Sequence, residues 1–312
     1  MDQKVSILIS AYNEENYILD AVYSCLNQTY DNIEVIIFDD GSIDNTYNLI
    51  TKHFKYNDRV KIIRSLINRG KIYGFNRCFE ESSGYYIHLL GGDDCLYDTC
   101  IEECIDSLTV SGNRIGIHSI AVTDRFLNKI DRLDPPNFNS IPLSKIATTK
   151  VGFPSGSWIF DRGVADMIFP IPKEIPYEDI WFNIVIKTST LNISLINLEL
   201  SCYRQNSGSV FRGIYNTKFE TIKFRLSRDI AYYEYILTDN PLSFNDSILE
   251  LCVKEKRRAE IIIGCKSIID VIYAGNVSFR DKASIIINNY LFLKTLKDFV
   301  IKFVQLFKKL EE

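Results

Sequence analysis

Residues 85–96 read YYIHLLGGDDCL. An apolar run, Ile87, Leu89 and Leu90, stops at Gly91-Gly92 and delivers Asp93 and Asp94 side by side. A run this continuous indicates a strand covered on both faces. Two adjacent carboxylates at its end are costly, because like charges repel and a strand end beside a core is poorly solvated. A cation offsets that cost. Oxygen ligands with glycines beside them suit Mg²⁺ or Mn²⁺, which leave positions open for phosphate oxygens. Gly-Gly-Asp-Asp is equally good chemistry for a solvated turn, so the stretch alone leaves both readings open.

Upstream, the same kind of run recurs at Val5–Ser10 (VSILIS), Ile33–Phe38 (IEVIIF) and Val60–Ile63. Between these strands, residues 16–27, 44–54 and 71–81 have helical spacing of apolar positions, with Asp44 a plausible cap. Strands alternating with helices of this length predict βαβ units and a parallel sheet. Ligands on such sheets sit at the carboxyl ends of the strands. Those ends carry Ser10-Ala11-Tyr12-Asn13-Glu14, Asp39-Asp40-Gly41-Ser42 and Asp93-Asp94, three polar clusters on one rim. Beyond Asp124 the pattern loosens. Residues 131–142 read as a Pro/Asn-rich loop, and 178–187 as a helix opening with two acids, favourable at a helix N-terminus. Residues 193–203 read as a strand or two. From Tyr215 three long helices are expected, broken near Asn240-Pro241 and Gly275-Asn276. The expected division is a domain over 1–212 and a helical region over 213–312.

Bulk properties narrow the class. The 312 residues are 46% hydrophobic and 24% charged, as in a folded globular chain. A net charge of −4 argues against a nucleic-acid protein, which needs basic surface. The charge is uneven: 253–312 carries +5 and the remainder −9. The eight cysteines include no CxxC pair and only three histidines accompany them, so spacing rules count against a zinc site. Buried free thiols in a reducing compartment are expected instead. The N-terminal apolar run is too short, and too acidic downstream, for a signal peptide. No stretch approaches the ~18 apolar residues of a spanning helix. The expected location is the cytoplasm. The segment from Asn289 to Glu312 repeats apolar residues at helical spacing, with lysines 294, 297, 302, 308 and 309 between them. Such a basic amphipathic helix suits an anionic membrane surface, here the cytoplasmic face of an inner membrane, or packs on its own domain or a partner.

A rim that holds a divalent cation at Asp94, flanked by Asp40 and Asp93, fits a nucleoside diphosphate. Carboxylates accept hydrogen bonds from a base N–H or from ribose hydroxyls. Tyr12 is placed to pack on the base and Ser10 to hydrogen-bond it. Arg69 and Lys71, in INRGK, are candidates for the phosphates, although basic loop residues are more often simply solvated. Neither G-x-G-x-x-G after the first strand nor G-x-x-x-x-G-K-[ST] is present, so dinucleotide and P-loop readings lack their phosphate cradle.

VSILISAYNEENYI, then VIIFDDGSIDNT, then NRG, then the strand ending GGDD together resemble inverting family-two glycosyltransferases of bacterial surface-polysaccharide type. The resemblance covers about residues 4–210. It implies the GT-A fold, a Rossmann-like, mostly parallel α/β sheet, here with a C-terminal helical extension. It places Ser10, Tyr12 and Asp40 on uracil, with Glu14 in the same strand-end cluster, Asp93 on the ribose and Asp94 on Mn²⁺ or Mg²⁺. Gly91 departs from the common D-x-D-D form by standing at the first acidic position. PYEDIWF puts the family's catalytic base at Asp179, with Glu178 beside it on the acceptor side. CYRQNSGSV resembles the segment that follows the base; it either brings Arg204 toward the diphosphate or leaves it paired with a structural acid, and it sets Asn206 where histidine is frequent. Trp158 and Trp181 are candidate sugar platforms and equally good core residues.

The resemblance therefore implies a metal-dependent, inverting hexosyltransferase. Its donor would be a UDP-sugar and its acceptor a lipid-linked glycan of O-antigen, lipopolysaccharide or capsular polysaccharide synthesis. A degenerate nucleotide-sugar-binding or assembly subunit is the alternative from another class. Four costly carboxylates, Asp40, Asp93, Asp94 and Asp179, argue against it. A nucleotidyltransferase is weaker still, because Tyr12-Asn13-Glu14-Glu15 stands where a Gly/Lys/Arg-rich loop is needed.

Overall fold

The computed structural model describes residues 3–148, 153–205 and 219–264. The chain forms two compact units, divided between Gln205 and Asn206.

In the first unit the strands are β1 (Val5–Ala11), β2 (Ile33–Asp40), β3 (Val60–Ser65), β4 (Tyr86–Gly91), β5 (Cys95–Leu96), β6 (Ile115–Thr123), β7 (Lys129–Leu133), β8 (Trp158–Asp161) and β9 (Ile193–Arg204). They form one mixed sheet in the order β3-β2-β1-β4-β8-β6-β9-β5, with β7 paired to β6. The first four strands are mutually parallel, as the alternation predicts. β8 runs antiparallel between β4 and β6, so β6 and its parallel neighbour β9 regain the direction of β1. The carboxyl ends of β1, β2, β4, β6 and β9 therefore share one rim.

Helices α1 (Ile18–Leu26), α2 (Thr46–Phe54), α3 (Lys71–Glu80), α4 (Cys100–Ser111), α5 (Leu143–Ala147), α6 (Arg162–Ile168) and α7 (Glu178–Ser189) complete the unit. All seven residues of β1 are buried, which is why its sequence shows no polar alternation. On one face Val5, Ile7 and Ile9 join Ile18, Val22, Ile50, Phe54 and Leu108 in a single apolar cluster. On the other, α3 buries Phe75 and Cys78, and the Cys78 thiol lies 3.5 Å from the carbonyls of Ile9 and Ile36. Each such apolar side chain contributes roughly 1.5–3 kcal/mol by leaving water.

Two sequence expectations are corrected. Residues 131–133 are not loop but the end of β7, whose exposed edge position lacks the apolar run of a central strand. Helix α2 begins at Thr46 rather than Asp44. The cap position is therefore Asn45, which makes no side-chain cap bond, and Asp44, one residue earlier, accepts the Thr46 amide at Oδ1 at 2.9 Å. Seven cysteines among the described residues are free and buried.

The second unit contains α8 (Phe219–Asp239) and α9 (Asp246–Gly264), separated at the expected Asn240-Pro241 break. Lys256 of α9 pairs with Glu234 of α8 at 3.0 Å. The expected third helix, the Gly275-Asn276 break and the amphipathic segment from Asn289 lie outside the described residues. No described helix is long and apolar enough to cross a membrane.

Candidate active site

The loops after β1 and β2 are zipped together by side chains. Asn13, in the left-handed region (φ 57°) that Asn tolerates better than most residues, receives and returns a bond. Its amide donates to Ser42 Oγ and its Oδ1 accepts from the Ile43 amide, both at 3.0 Å. The Glu14 amide donates to Thr46 Oγ1 at 2.7 Å, and the Glu15 amide to Asp44 Oδ2 at 3.1 Å. Tyr12 stands 41% exposed above this frame, an available flat surface. Ser10 is buried below it against Gly74 of α3, where a Cβ would overlap the Ser10 hydroxyl.

The two aspartates ending β2 point to opposite faces of the sheet. Asp40 Oδ1 and Oδ2 accept the amides of Arg69 and Gly70, each at 2.7 Å. Its carboxylate is thus spent on the loop that enters α3, and Gly70 makes the approach at φ 92°. Arg69 itself is exposed, its guanidinium 4.9 Å from the Tyr73 ring centroid. Asp39 is fully buried, with Arg64 Nε 3.4 Å from Oδ2, and among the described residues neither oxygen makes a well-formed hydrogen bond. Burial holds both carboxyls above the ordinary aspartate range.

At the end of β4 the close approach of carboxylates explains Gly91. A Cβ there would lie 2.7 Å from Asp94 Oδ2 and 3.0 Å from Asp93 Oδ1. Gly92 admits Ala11 and Glu14, each 3.2 Å from where its Cβ would stand. Asp94 Oδ1 accepts the Arg204 amide at 2.9 Å. Burial and then the adjacent Asp93 push the Asp94 carboxyl well up. Glu14 is pushed up to about 8 by burial, then by Asp93 and Asp44.

Arg204 ends β9 almost wholly buried. Its guanidinium donates to the Asp93 carbonyl (2.7 Å), the Arg125 carbonyl (3.1 Å), Asp20 Oδ2 (3.0 Å) and Cys95 Sγ (3.4 Å). It also lies 4.7 Å from the Tyr17 ring centroid. Of the two expectations for Arg204, pairing with an acid is the contact seen, to Asp20, and its other bonds strap the Asp93-Asp94 turn.

Helix α7 brings the second acidic pair to the same rim. Glu178 Oε1 accepts from Lys71 Nζ at 2.6 Å and from Ser155 Oγ at 2.8 Å. Desolvation works against the Glu178 carboxylate, but Lys71 outweighs it and holds the group below the usual range. Desolvation likewise opposes the Lys71 ammonium, and Glu178, Asp94 and Asp93 together hold it above the ordinary lysine range. One cation therefore couples the β4 turn to α7. No ion pair to Asp179 is seen among the described residues; burial and then Glu178 push it up to about 7, against the pull of Lys71. Its Oδ1 accepts its neighbour's Ile180 amide at 2.8 Å.

Ser10, Tyr12, Glu14, Asp40, Asp93, Asp94, Lys71, Glu178 and Asp179 thus belong to one end of the first unit. The tryptophans do not line it as platforms. Trp158 is fully buried, its Nε1 donating to the Phe153 carbonyl at 3.3 Å. Trp181 is 5% exposed and donates to the Ile168 carbonyl at 2.8 Å. A satisfied indole N–H in the core leaves neither ring a face for a sugar. Asn206 lies outside the described residues. Sequence reading missed Asp20, Ser155 and the demand on Asp39; for Asp39 the doubled DD of DDGS was the available signal.

The residues present fit a hard divalent cation. The donor set is all oxygen, and burial with the adjacent Asp93 disfavours the charged form of Asp94, a cost that a bound cation offsets.

Comparison with known proteins places this geometry. The sequence profile of Glycosyl transferase family 2 matches residues 6–169. An uncharacterized glycosyltransferase of Haemophilus influenzae is 34% identical over 119 residues, which is 36% of this chain and 37% of that protein. The match thus spans little more than a third of that relative's length. A UDP-Glc:alpha-D-GlcNAc-diphosphoundecaprenol beta-1,3-glucosyltransferase, WfaP of Escherichia coli, is 31% identical over 210 residues, 66% of this chain and 79% of that protein. Among solved structures, S. aureus TarS 1–349 in complex with UDP superposes with a TM-score of 0.56 at 15% identity, over 91% of this chain and 78% of that one.

Proposed function

The chain belongs to glycosyl transferase family 2 and has the GT-A fold, and from that premise we propose that it moves a hexose from a UDP-sugar to an acceptor hydroxyl with inversion. The observation that carries the mechanism is Asp179, a buried carboxylate at the head of α7 whose pairing with Lys71 is taken by its neighbour Glu178 and which is poised near neutrality. A general base works best with a pKa near the operating pH. Asp179 takes the acceptor proton as the acceptor oxygen bonds to the anomeric carbon and the bond to the diphosphate breaks on the opposite side. Inversion needs no covalent intermediate on the protein. Mn²⁺ or Mg²⁺, held at Asp94, would supply Lewis-acid stabilisation of the leaving diphosphate.

The remaining residues bind and orient. Tyr12 packs on the base, and Asp93 accepts from the ribose. Asp40 acts through the Arg69–Gly70 loop whose amides it holds, so that Arg69 reaches toward the phosphates. Lys71 fixes Glu178 beside Asp179 and adds positive charge near the turn that receives the diphosphate. Glu178 thereby serves as a positioning residue on the acceptor side.

Identity to the E. coli enzyme, whose name specifies a UDP-glucose donor and a diphosphoundecaprenol-linked acceptor, supports a UDP-hexose and a lipid-linked glycan of surface-polysaccharide synthesis. A lipid-linked acceptor agrees with membrane association through the basic segment from Asn289. We assign the domain work accordingly: transfer to residues 1–212, surface association to 213–312.

The test is a thermal titration of the purified protein against UDP-, GDP-, dTDP- and CMP-sugars with and without Mn²⁺, followed by transfer assays on Asp179→Asn. A ligand that binds the native state raises the midpoint. A Mn²⁺-dependent rise with one UDP-sugar is expected. Asp179→Asn should keep that rise and lose about 10²–10⁴-fold in transfer. Retention of most activity would remove Asp179 from the role of base. No response to any donor would favour a degenerate binding subunit.

A further inference from the structure

Away from the acidic rim, three chemically soft side chains meet in the core. His88 comes from the middle of β4, Cys100 is the first residue of α4, and His118 lies in β6. All three are fully buried. His88 and Gly116 both register with Ile159 of the intervening β8, so His118, two residues on, shares the face of His88. That face is the one covered by α4, with Leu90, Ile101 and Leu108 in the surrounding apolar cluster.

The polar atoms converge. His88 Nε2 and His118 Nε2 are 3.5 Å apart, while the ring centroids are 5.8 Å apart, so these nitrogens face each other. Cys100 Sγ lies 4.0 Å from the first and 3.8 Å from the second. As a hydrogen-bonded cluster this is poor: good N–H bonds lie at about 2.7–3.2 Å, and a thiol is a weak donor. His88 Nδ1 makes no well-formed hydrogen bond among the described residues either. Burying polar groups this badly matched is costly.

As a ligand set the same arrangement is good. Zn–N bonds of about 2.0–2.1 Å and a Zn–S bond of about 2.3 Å put tetrahedral ligand atoms roughly 3.3–3.6 Å apart. The observed separations need to close by only a few tenths of an ångström. His118 Nδ1 lies 2.9 Å from the Ser119 carbonyl, which takes its N–H and leaves Nε2 with the lone pair. This carbonyl-oriented imidazole is the usual support of a metal-binding histidine. Two imidazoles and a thiolate select zinc over the hard cations suited to the carboxylate rim.

We propose that His88 Nε2, His118 Nε2 and Cys100 Sγ bind one zinc ion, a structural clamp joining β4, β6 and α4 beneath the Asp93-Asp94 turn. Binding displaces the Cys100 thiol proton to solvent and changes no oxidation state. Three protein ligands leave the fourth tetrahedral position to a non-protein ligand, there being no fourth donor in this group among the described residues. The clamp grips β4 three residues before Gly91 and α4 six residues after Asp94, so it fixes both ends of the segment that carries the acidic pair.

Elemental analysis of the full chain, purified without a polyhistidine tag from zinc-supplemented cells, tests this. About one zinc per chain is expected. Exchange with Co²⁺ should give a thiolate-to-metal charge-transfer band. Cys100→Ser should abolish that band, and His118→Gln should lower bound zinc at least tenfold. Cys104→Ser, one turn along α4, and Asp94→Asn, on the catalytic rim, should retain both metal and band. Should Cys100→Ser fail to fold by circular dichroism, the wild-type cobalt band and the His118→Gln metal content still decide. Folded wild type without stoichiometric zinc or a cobalt band after metal incubation would overturn the site. Survival of the band in folded Cys100→Ser, or loss of zinc in Asp94→Asn, would do the same.

Discussion

At the scale of single residues, the candidate site holds carboxylates whose environments differ although their sequence context does not. Glu178 and Asp179 are adjacent, yet Lys71 holds one charged while burial lifts the other to about 7. The kcat/KM profile should therefore rise with pH through a limb near 7, and Asp179→Asn should remove the limb with the activity. The stability consequence has a definite sign. The folded pKa is raised above the unfolded value, so ionising Asp179 costs native stability as pH climbs from about 4 to about 7. Asn carries no such cost. The thermal midpoint of Asp179→Asn should gain on wild type across that window and level off above it; scans at several pH values check this. Gly91 gives a second residue-scale prediction. Restoring an acid with Gly91→Asp should not strengthen metal binding, because even a Cβ meets Asp94 Oδ2 at 2.7 Å. A loss of about 1–3 kcal/mol and a weaker Mn²⁺-dependent donor response are expected in melts and titrations. A stable variant with tighter Mn²⁺ binding would refute this account of the glycine.

At the scale of elements, the strand ends hold the site only because helices press against them closely. Gly74 lets α3 seat on β1 and β2: a Cβ there would overlap Ser10 Oγ and stand 3.0 Å from Phe38 Cδ1. Gly74→Ala should cost about 1–3 kcal/mol by overpacking, and Ser10→Gly in the same chain should recover part of it. Denaturant melts of the single and double variants measure the coupling, and strict additivity would count against the contact. β1 and β2 were legible because each is covered on both faces and so reads as a nearly unbroken apolar run; β3, an edge strand with no fully buried residue, was legible only from its place in the alternation. β7 was not, since an exposed edge strand with Lys129, Asp131 and Arg132 carries no such signal. β5, two residues long, is defined by its partner β9 rather than by any pattern of its own.

At the scale of the whole molecule, charge is segregated, with +5 over 253–312 and −9 over the rest. Anionic vesicles should sediment the full chain at low salt and release it as salt screens the lysines. A chain ending at Asn289 should stay in the supernatant, and equal sedimentation of the two would refute the tail as anchor. What the sequence determined by itself was the family, the parallel first half of the sheet and the acids at its strand ends. Those features are local: apolar runs, DDGS, GGDD and PYED each carry their meaning within a few residues. The tertiary structure decided how those acids are buried and partnered. It spent Asp40 on two loop amides, turned Arg204 into a buried strap and sank both tryptophans into the core. It also gathered His88, Cys100 and His118 from three elements into one cluster. Burial, pairing and convergence depend on atoms brought together from distant parts of the chain, and no spacing along the sequence encodes them.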